Sequence, residues 1–129
     1  MRVLVLSNGE LMEKDIDNTL EALQGVVGGY IEIPYLGDVF IENGIDVIIN
    51  EEGKFIDGLK PEIVIMEKET NAILDMIYGN CIFASHDKDG NTIGLSNEQE
   101  IFVLNEIMVD AVFTNTDTNE EIIAKVLFV

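Results

Sequence analysis

Residues 2 to 6, RVLVL, form an uninterrupted apolar run stopped by the turn formers SNG, the pattern of a strand buried on both faces or nearly so. Glu10 to Ile16 reads as a second edge strand or a loop. Leu20, Leu23 and Val27 then recur at helical spacing, which predicts an amphipathic helix over 19–27, opened by Asn18 with Glu21 three residues on. From Tyr30 the period changes to two, with Ile31, Ile33 and Tyr35 on one face, Glu32 facing away and Pro34 marking a sheet edge or a strand end. IDVII at 45–49 and KFI at 54–56 flank NEEG and predict a tight hairpin. Between 59 and 74 the pattern supports two readings: Pro61 opening a short helix, or IVIM at 63–66 forming a strand.

MIYGNCIFASH at 76–86 predicts one longer strand, turned back at Asp89-Gly90 into TIGL, because both central positions of such a hairpin need positive φ. Ser96 with Gln99 three residues later is a capping box, opening a helix through about Met108 with the stripe Ile101, Leu104 and Met108 and Phe102 alongside. VDAVFT at 109–114 predicts a strand, and Thr118 with Glu121 a cap on a short final helix. Two hairpins among mixed elements, without strict alternation of strand and helix, predict α+β: a small single domain, mainly antiparallel β-sheet with two or three short helices packed on it.

Composition sharpens this picture. A chain of 129 residues, 47% of them hydrophobic, can bury one core and is too short for two ordinary domains. Its 25 acidic residues against 7 basic ones give a formal charge of -18. The acids are spread evenly, eight in residues 1–43, eight in 44–86 and nine in 87–129, so they form a charged surface and not an acidic tail. Such a surface repels phosphate backbones and anionic membranes and attracts basic proteins or cations. The bland reading is a solvated, highly soluble face, and the sharper one is a face that occupies a basic, nucleic-acid-binding groove. Halophile adaptation fits poorly with the apolar fraction. A single cysteine, Cys81, leaves no intramolecular disulfide and fits a reducing cytoplasm; the apolar start is too short for a signal peptide, and no run approaches a membrane span.

Few residues carry specific chemistry. Gly28 and Gly29 follow a helix, at its negative end, where a glycine caps and turns the chain; a phosphate-cradling loop precedes one. DKDGN offers Asp87, Asp89 and Asn91 at calcium-loop spacing, yet Gly90 stands two places early, so a turn is the better reading and no metal is assigned. Cys81 and His86 are five apart on one strand, on opposite faces and about 16 Å apart, which disfavours a dyad. Tyr30, Tyr35 and Tyr78 are candidates to line a pocket, although core or edge packing is commoner. With 25 carboxylates no catalytic pair stands out, and without tryptophan or a basic patch the stacking-plus-cation signature of nucleic-acid binding is missing. The expectation is no enzyme, no cofactor and no metal.

Taken in order, RVLVLS, IDNTLEALQGVVGGYIEI, INEEGKF, IYGNCIFASHDKDGN and GLSNEQE resemble the family catalogued as domain of unknown function 3846, over roughly residues 1 to 106. LEALQGVVGGYIEI is the most specific of these segments. At KPEIVIMEKETN the chain departs from the family pattern, which has a short loop with an asparagine-arginine pair there, and 107–129 reads as a strand-helix extension of the same domain. The resemblance implies a small accessory protein of phages or conjugative elements, carried among antirestriction genes, and transfers no catalytic residue. Together with the charge it suggests counter-defence by binding a basic host protein, a nuclease or DNA-binding protein, in the bacterial cytoplasm. Glu51, Glu52, Asp57, Glu62, Glu67 and Glu69 are the candidate acids for that contact. The alternative is a sponge for a nucleotide signal with a pocket at a subunit interface; a homo-oligomer is compatible with either, whereas direct nucleic-acid or membrane binding is not expected.

Overall fold

A computed structural model describes residues 1–107 and 109–129. Strands β1 (Arg2–Ser7), β2 (Glu10–Asp15), β3 (Ile31–Glu32), β4 (Ile45–Asn50), β7 (Cys81–His86) and β8 (Thr92–Ile93) form one sheet in the order β2-β1-β7-β4-β3, with β8 also on β7. Strands β5 (Pro61–Met66), β6 (Ile73–Tyr78), β9 (Asp110–Thr114) and β10 (Glu121–Phe128) form a second, ordered β6-β5-β10-β9. The helices are α1 (Leu20–Val27), α2 (Asp38–Glu42) and α3 (Asn97–Glu106). Every pair is antiparallel except β5 with β10, so the α+β expectation holds.

The apolar runs of β1, β4 and β7 follow from burial on both faces. On one face Val3, Val5, Ile48, Ile82 and Ala84 meet Leu23 and Val27 of α1. On the other Leu4, Leu6, Val47, Phe83 and Cys81 meet Ile63, Ile65, Ile77 and Leu127 of the second sheet, together with Phe40 of α2 and Val103 of α3. The edge strand β2 carries Glu10, Glu13, Lys14 and Asp15, charges that discourage pairing with another chain.

Several expectations change. Thr19, not Asn18, caps α1, its Oγ1 accepting from the Ala22 N–H at 3.1 Å, while Asn18 Nδ2 donates to the Thr92 carbonyl and Glu21 falls in the first turn. The strand from Tyr30 shrinks to Ile31–Glu32 on β4, and a short α2 follows Pro34. KFI is not a strand: Gly53–Phe55 is a 3-10 turn, seated so closely that a Cβ on Gly53 would lie 2.6 Å from the Tyr78 carbonyl oxygen. Segment 59–74 contains β5, a strand, and the single strand predicted over 76–86 is broken at Gly79, whose φ of 83° turns the chain from the second sheet into the first. Thr118 and Glu121 cap no helix, since Glu121 opens β10, which runs between β5 and β9. The strand-helix extension is therefore a β-hairpin built into the second sheet.

The capping box at Ser96 is present, with Ser96 Oγ accepting from Gln99 N–H and Gln99 Oε1 from Ser96 N–H. The α3 stripe lies elsewhere than expected: Val103 and Ile107 are buried, whereas Ile101 is 59% and Leu104 41% exposed, and Met108 lies outside the described residues. The helix packs by one narrow edge, so the more apolar-looking spacing stays in solvent.

The Asp87–Asn91 loop is longer than a two-residue turn. Only Gly90 has positive φ, and Asp87 organises the loop, its carboxylate accepting from the Asn91 and Asp89 N–H groups at 2.9 Å each and from Asn91 Nδ2 at 3.2 Å. The Asn91 N–H is the main cause that holds the Asp87 carboxyl below the ordinary aspartate range, against slight desolvation, with the Asn91 amide, the Asp89 N–H and His86 adding to it. A carboxyl depressed by folding stabilises fully above its unfolded pKa, about 3.9, and that contribution is lost as pH falls through the lower folded value. The protection of the Asp89 and Asn91 amides against hydrogen exchange, measured relative to the intrinsic rate at each pH, should accordingly fall as the pH drops below about 4, and Asp87→Ala should show the low protection already at neutral pH.

Candidate functional site

Three of the segments that are most distinctive in the sequence meet at the C-terminal end of α1. Gly28 takes φ 83°, and the N–H groups of Gly28 and Gly29 donate to the Gln24 carbonyl at 2.8 and 3.2 Å, so these glycines stop the helix and turn the chain. Asn50 from INEEGKF donates to the Val27 carbonyl at 3.2 Å, and Asn80 from IYGNCIF donates to the Val26 carbonyl at 2.9 Å. Two side-chain amides thus satisfy the orphan carbonyls at the negative end of the helix. Asn50 Oδ1 also accepts from the Glu52 N–H at 2.8 Å, and the Glu51 N–H donates to the Tyr30 carbonyl at 3.0 Å, which ties the β4–β5 loop to the glycine turn.

The result is an open cleft of about 470 Å³ lined by Gln24, Gly28, Gly29, Tyr30, Glu52 and Ile56. Tyr30 is 71% exposed at its rim, and the loop carries Phe55 at 84% exposure among the exposed acids Glu51, Glu52 and Asp57. Lys54 is tied to Asp75 in an ion pair. Burial works against ionisation of Asp75, yet the Lys54 hydrogen bond and the Met76 N–H outweigh it and hold the carboxyl below its usual range. What the loop presents is an aromatic and an aliphatic side chain on a segment with three exposed carboxylates, near a helix C-terminus, which suits a partner bearing cations and an apolar spot.

The six candidate acids do not form one group. Glu62 is buried at 7% exposure, its Oε2 accepting from the Gly9 N–H at 2.9 Å, so it joins the two sheets and is removed from any contact surface. The register shift between Pro61 and Ile63 is what re-aims it. Glu67 and Glu69 sit in the β5–β6 turn, at the far end of β5 from the Gly53–Asp57 loop, roughly 16 Å away along the strand. The tyrosines do not converge either: Tyr30 rims the glycine cleft, Tyr78 lines a cleft with Lys54, and Tyr35 donates to Asp38 in a third with Leu36, Lys68 and Phe128. That hydrogen bond is the main cause that raises the Tyr35 phenol above its usual range. Phe55 was missed because KFI reads as a strand; the charges on both sides of the KFI segment, Glu51 and Glu52 before it and Asp57 after it, are the signal that marks it as solvent-facing.

Cys81 is fully buried, and burial first and the Glu62 carboxylate second push its thiol far above the usual range, while His86 is exposed and meets Asp46 at 2.9 Å. The two therefore form no nucleophilic pair. Among the described residues no three His, Cys, Asp or Glu side chains gather as a metal ion would require, and no helix is long and apolar enough to cross a membrane.

Comparison with curated proteins and with solved structures returned no match. The segment beyond residue 108 holds β9 and β10, so this chain's second sheet is completed by residues outside the family match. The family model described as domain of unknown function (DUF3846) matches residues 1–108, and the chain belongs to that family.

Proposed function

We propose that this protein is a non-enzymatic accessory protein of a phage or mobile element that counters host defence by holding a basic, nucleic-acid-binding host protein in the bacterial cytoplasm. The observation that carries this reading is the β4–β5 loop, where Phe55 stands in solvent on the segment that also carries the exposed acids Glu51, Glu52 and Asp57. An exposed aromatic on an acidic segment is the arrangement in which steering charge and a desolvated anchor act together. The overall charge of -18 supplies the long-range attraction, and Arg2, Lys54 and Lys125 are already engaged by Glu100, Asp75 and Asp110. Glu51, Glu52 and Asp57 engage the partner's Lys and Arg side chains, while Phe55 is buried on contact.

The test is capture from bacterial host lysate on the immobilised protein at low salt. A basic nucleic-acid-binding protein should be retained, Phe55→Ala should lower its retention by tenfold or more, as hot-spot aromatics do at about 2 kcal/mol, and a Glu51→Gln, Glu52→Gln, Asp57→Asn variant should flatten its salt dependence. Retention of the same partner by all variants would sink the assignment of this loop. The alternative, a nucleotide sponge, finds less support, because the clefts that hold a lysine also hold carboxylates: Lys68 with Asp38 and Asp75, Lys125 with Glu10, and Lys54 with Glu51 and Asp75.

A further inference from the structure

The glycine cleft at the end of α1 is lined by no basic side chain, unlike the clefts that hold Lys54, Lys68 and Lys125. Its glycines offer an anion nothing, since the N–H groups of Gly28 and Gly29 both donate to the Gln24 carbonyl and the helix end they close is the negative one. The amides of Asn80 and Asn50 occupy the Val26 and Val27 carbonyls. Of the last four carbonyls of α1, that of Gly25 is left without a protein donor among the described residues, and Gly25 lines the cleft beyond the helix end toward which such carbonyls point. The exposed carboxylate of Glu52, the side-chain amide of Gln24, the exposed ring of Tyr30 and Ile56 line the same cleft. Among the described residues Glu52 is in no ion pair, and Lys54, two positions on, is held by Asp75. A Cβ on Gly25 would meet nothing within 4 Å, so the missing side chain keeps the cleft open.

We infer that this cleft takes an arginine side chain of the partner protein. The Gly25 carbonyl, the Glu52 carboxylate and the Gln24 amide oxygen are three separate acceptors, and a guanidinium brings five N–H donors in a planar fork that can serve several at once. Its flat face stacks on an exposed aromatic ring such as Tyr30, while the apolar stem lies along an aliphatic side chain such as Ile56. An ammonium matches the charge, yet as a compact, strongly hydrated point it reaches fewer of these acceptors and stacks less well. A phosphate or carboxylate ligand would meet Glu52 and the negative helix end. The chemistry of the cleft stands by itself, whereas a basic protein as the source of the arginine rests on the function proposed above.

The test is titration of the isotope-labelled full chain with N-acetyl-arginine amide and with N-acetyl-lysine amide, each with a single positive charge and no carboxylate, followed by amide resonances at low salt. The arginine compound should shift the Gly25, Gly28, Gly29 and Tyr30 amides along one saturating curve, with a dissociation constant on the order of 1–10 mM. It should bind about threefold or more tightly than the lysine compound. Glu52→Gln, which removes a surface charge, and Gly25→Leu, which fills the cleft from a helical position with room for a side chain, should each weaken it by about threefold or more. Shifts scattered over the acidic surface without saturation, equal binding of the two compounds, or unchanged binding by either folded variant overturns the inference. Should Gly25→Leu unfold, Glu52→Gln decides alone. Capture of a basic host protein together with no binding of the arginine compound overturns the cleft's assignment and leaves the proposed function standing; saturable binding of the compound with no captured partner does the reverse.

Discussion

Phe83→Ala should destabilise the fold by about 3–5 kcal/mol, the cost of emptying a fully buried aromatic site, and lower the midpoint of thermal unfolding by roughly 10–20 °C in a chain of this size. Phe83 lies at the centre of β7, flanked in register by Leu4 of β1 and Val47 of β4, with no exposed surface. Its ring is 6.4 Å from that of Phe40, which in turn stands edge-on to Phe102 at 5.9 Å. One substitution therefore loosens the first sheet, α2 and α3 together. Since small domains have only about 5–15 kcal/mol in hand, the variant should be partly unfolded at physiological temperature, as urea denaturation followed by circular dichroism would show. A loss below about 1 kcal/mol, typical of a surface site, would mean that the two sheets do not share this core.

Asn50→Ala should cost about 1–3 kcal/mol, because it leaves the buried Val27 carbonyl unpaired and also removes the acceptor of the part-buried Glu52 N–H. Asn50 is 5% exposed and lies against Gly29, where an added Cβ would come within 2.9 Å of its Nδ2. Asn50→Asp is the sharper variant: it keeps the acceptor for Glu52, loses the donor for Val27 and places a negative charge at the negative end of α1. It should therefore be no more stable than Asn50→Ala at neutral pH and should recover as the new carboxyl is protonated. Denaturant midpoints across pH 3–7 read this out, and pH-independent stability of Asn50→Asp would contradict the capping role.

The strands legible in the sequence are those whose burial is local in cause. RVLVL, IDVII and CIFAS are apolar throughout because the sheet they form is covered twice, and Gly28 announces its turn because a helix must end somewhere. What stayed hidden depends on partners distant in the chain. Thr118 and Glu121 have the local spacing of a helix start, yet EIIAKVLF finds β5, about sixty residues earlier, and parallel pairing leaves no mark in the nearby sequence. Gly79 breaks one apolar run into strands of two different sheets, which hydrophobicity alone does not show.

The candidate site was legible in part for the same reason. Its acids Glu51, Glu52 and Asp57 stand out as charges, whereas Glu62 looks identical to them until a bulge turns it onto the Gly9 N–H. Phe55 ends a turn whose Gly53 is seated against the carbonyl of Tyr78, a residue of another strand. Ser96 and Gln99 were readable as a cap, but not the further reach of Gln99 Nε2 to the Asn43 carbonyl and Ser85 Oγ, which fastens α3 to the start of β4 and the end of β7.

The central claim, that the acidic surface occupies a nucleic-acid groove on a basic protein, is tested most directly by competition. The host protein retained at low salt is challenged with duplex DNA, and its dissociation constant is measured as salt rises. The account predicts that DNA displaces it and that affinity falls by tenfold or more between about 50 and 200 mM salt, as contacts to a phosphate-binding groove do. A partner that binds DNA and this protein at the same time, with an affinity indifferent to salt, would contradict it.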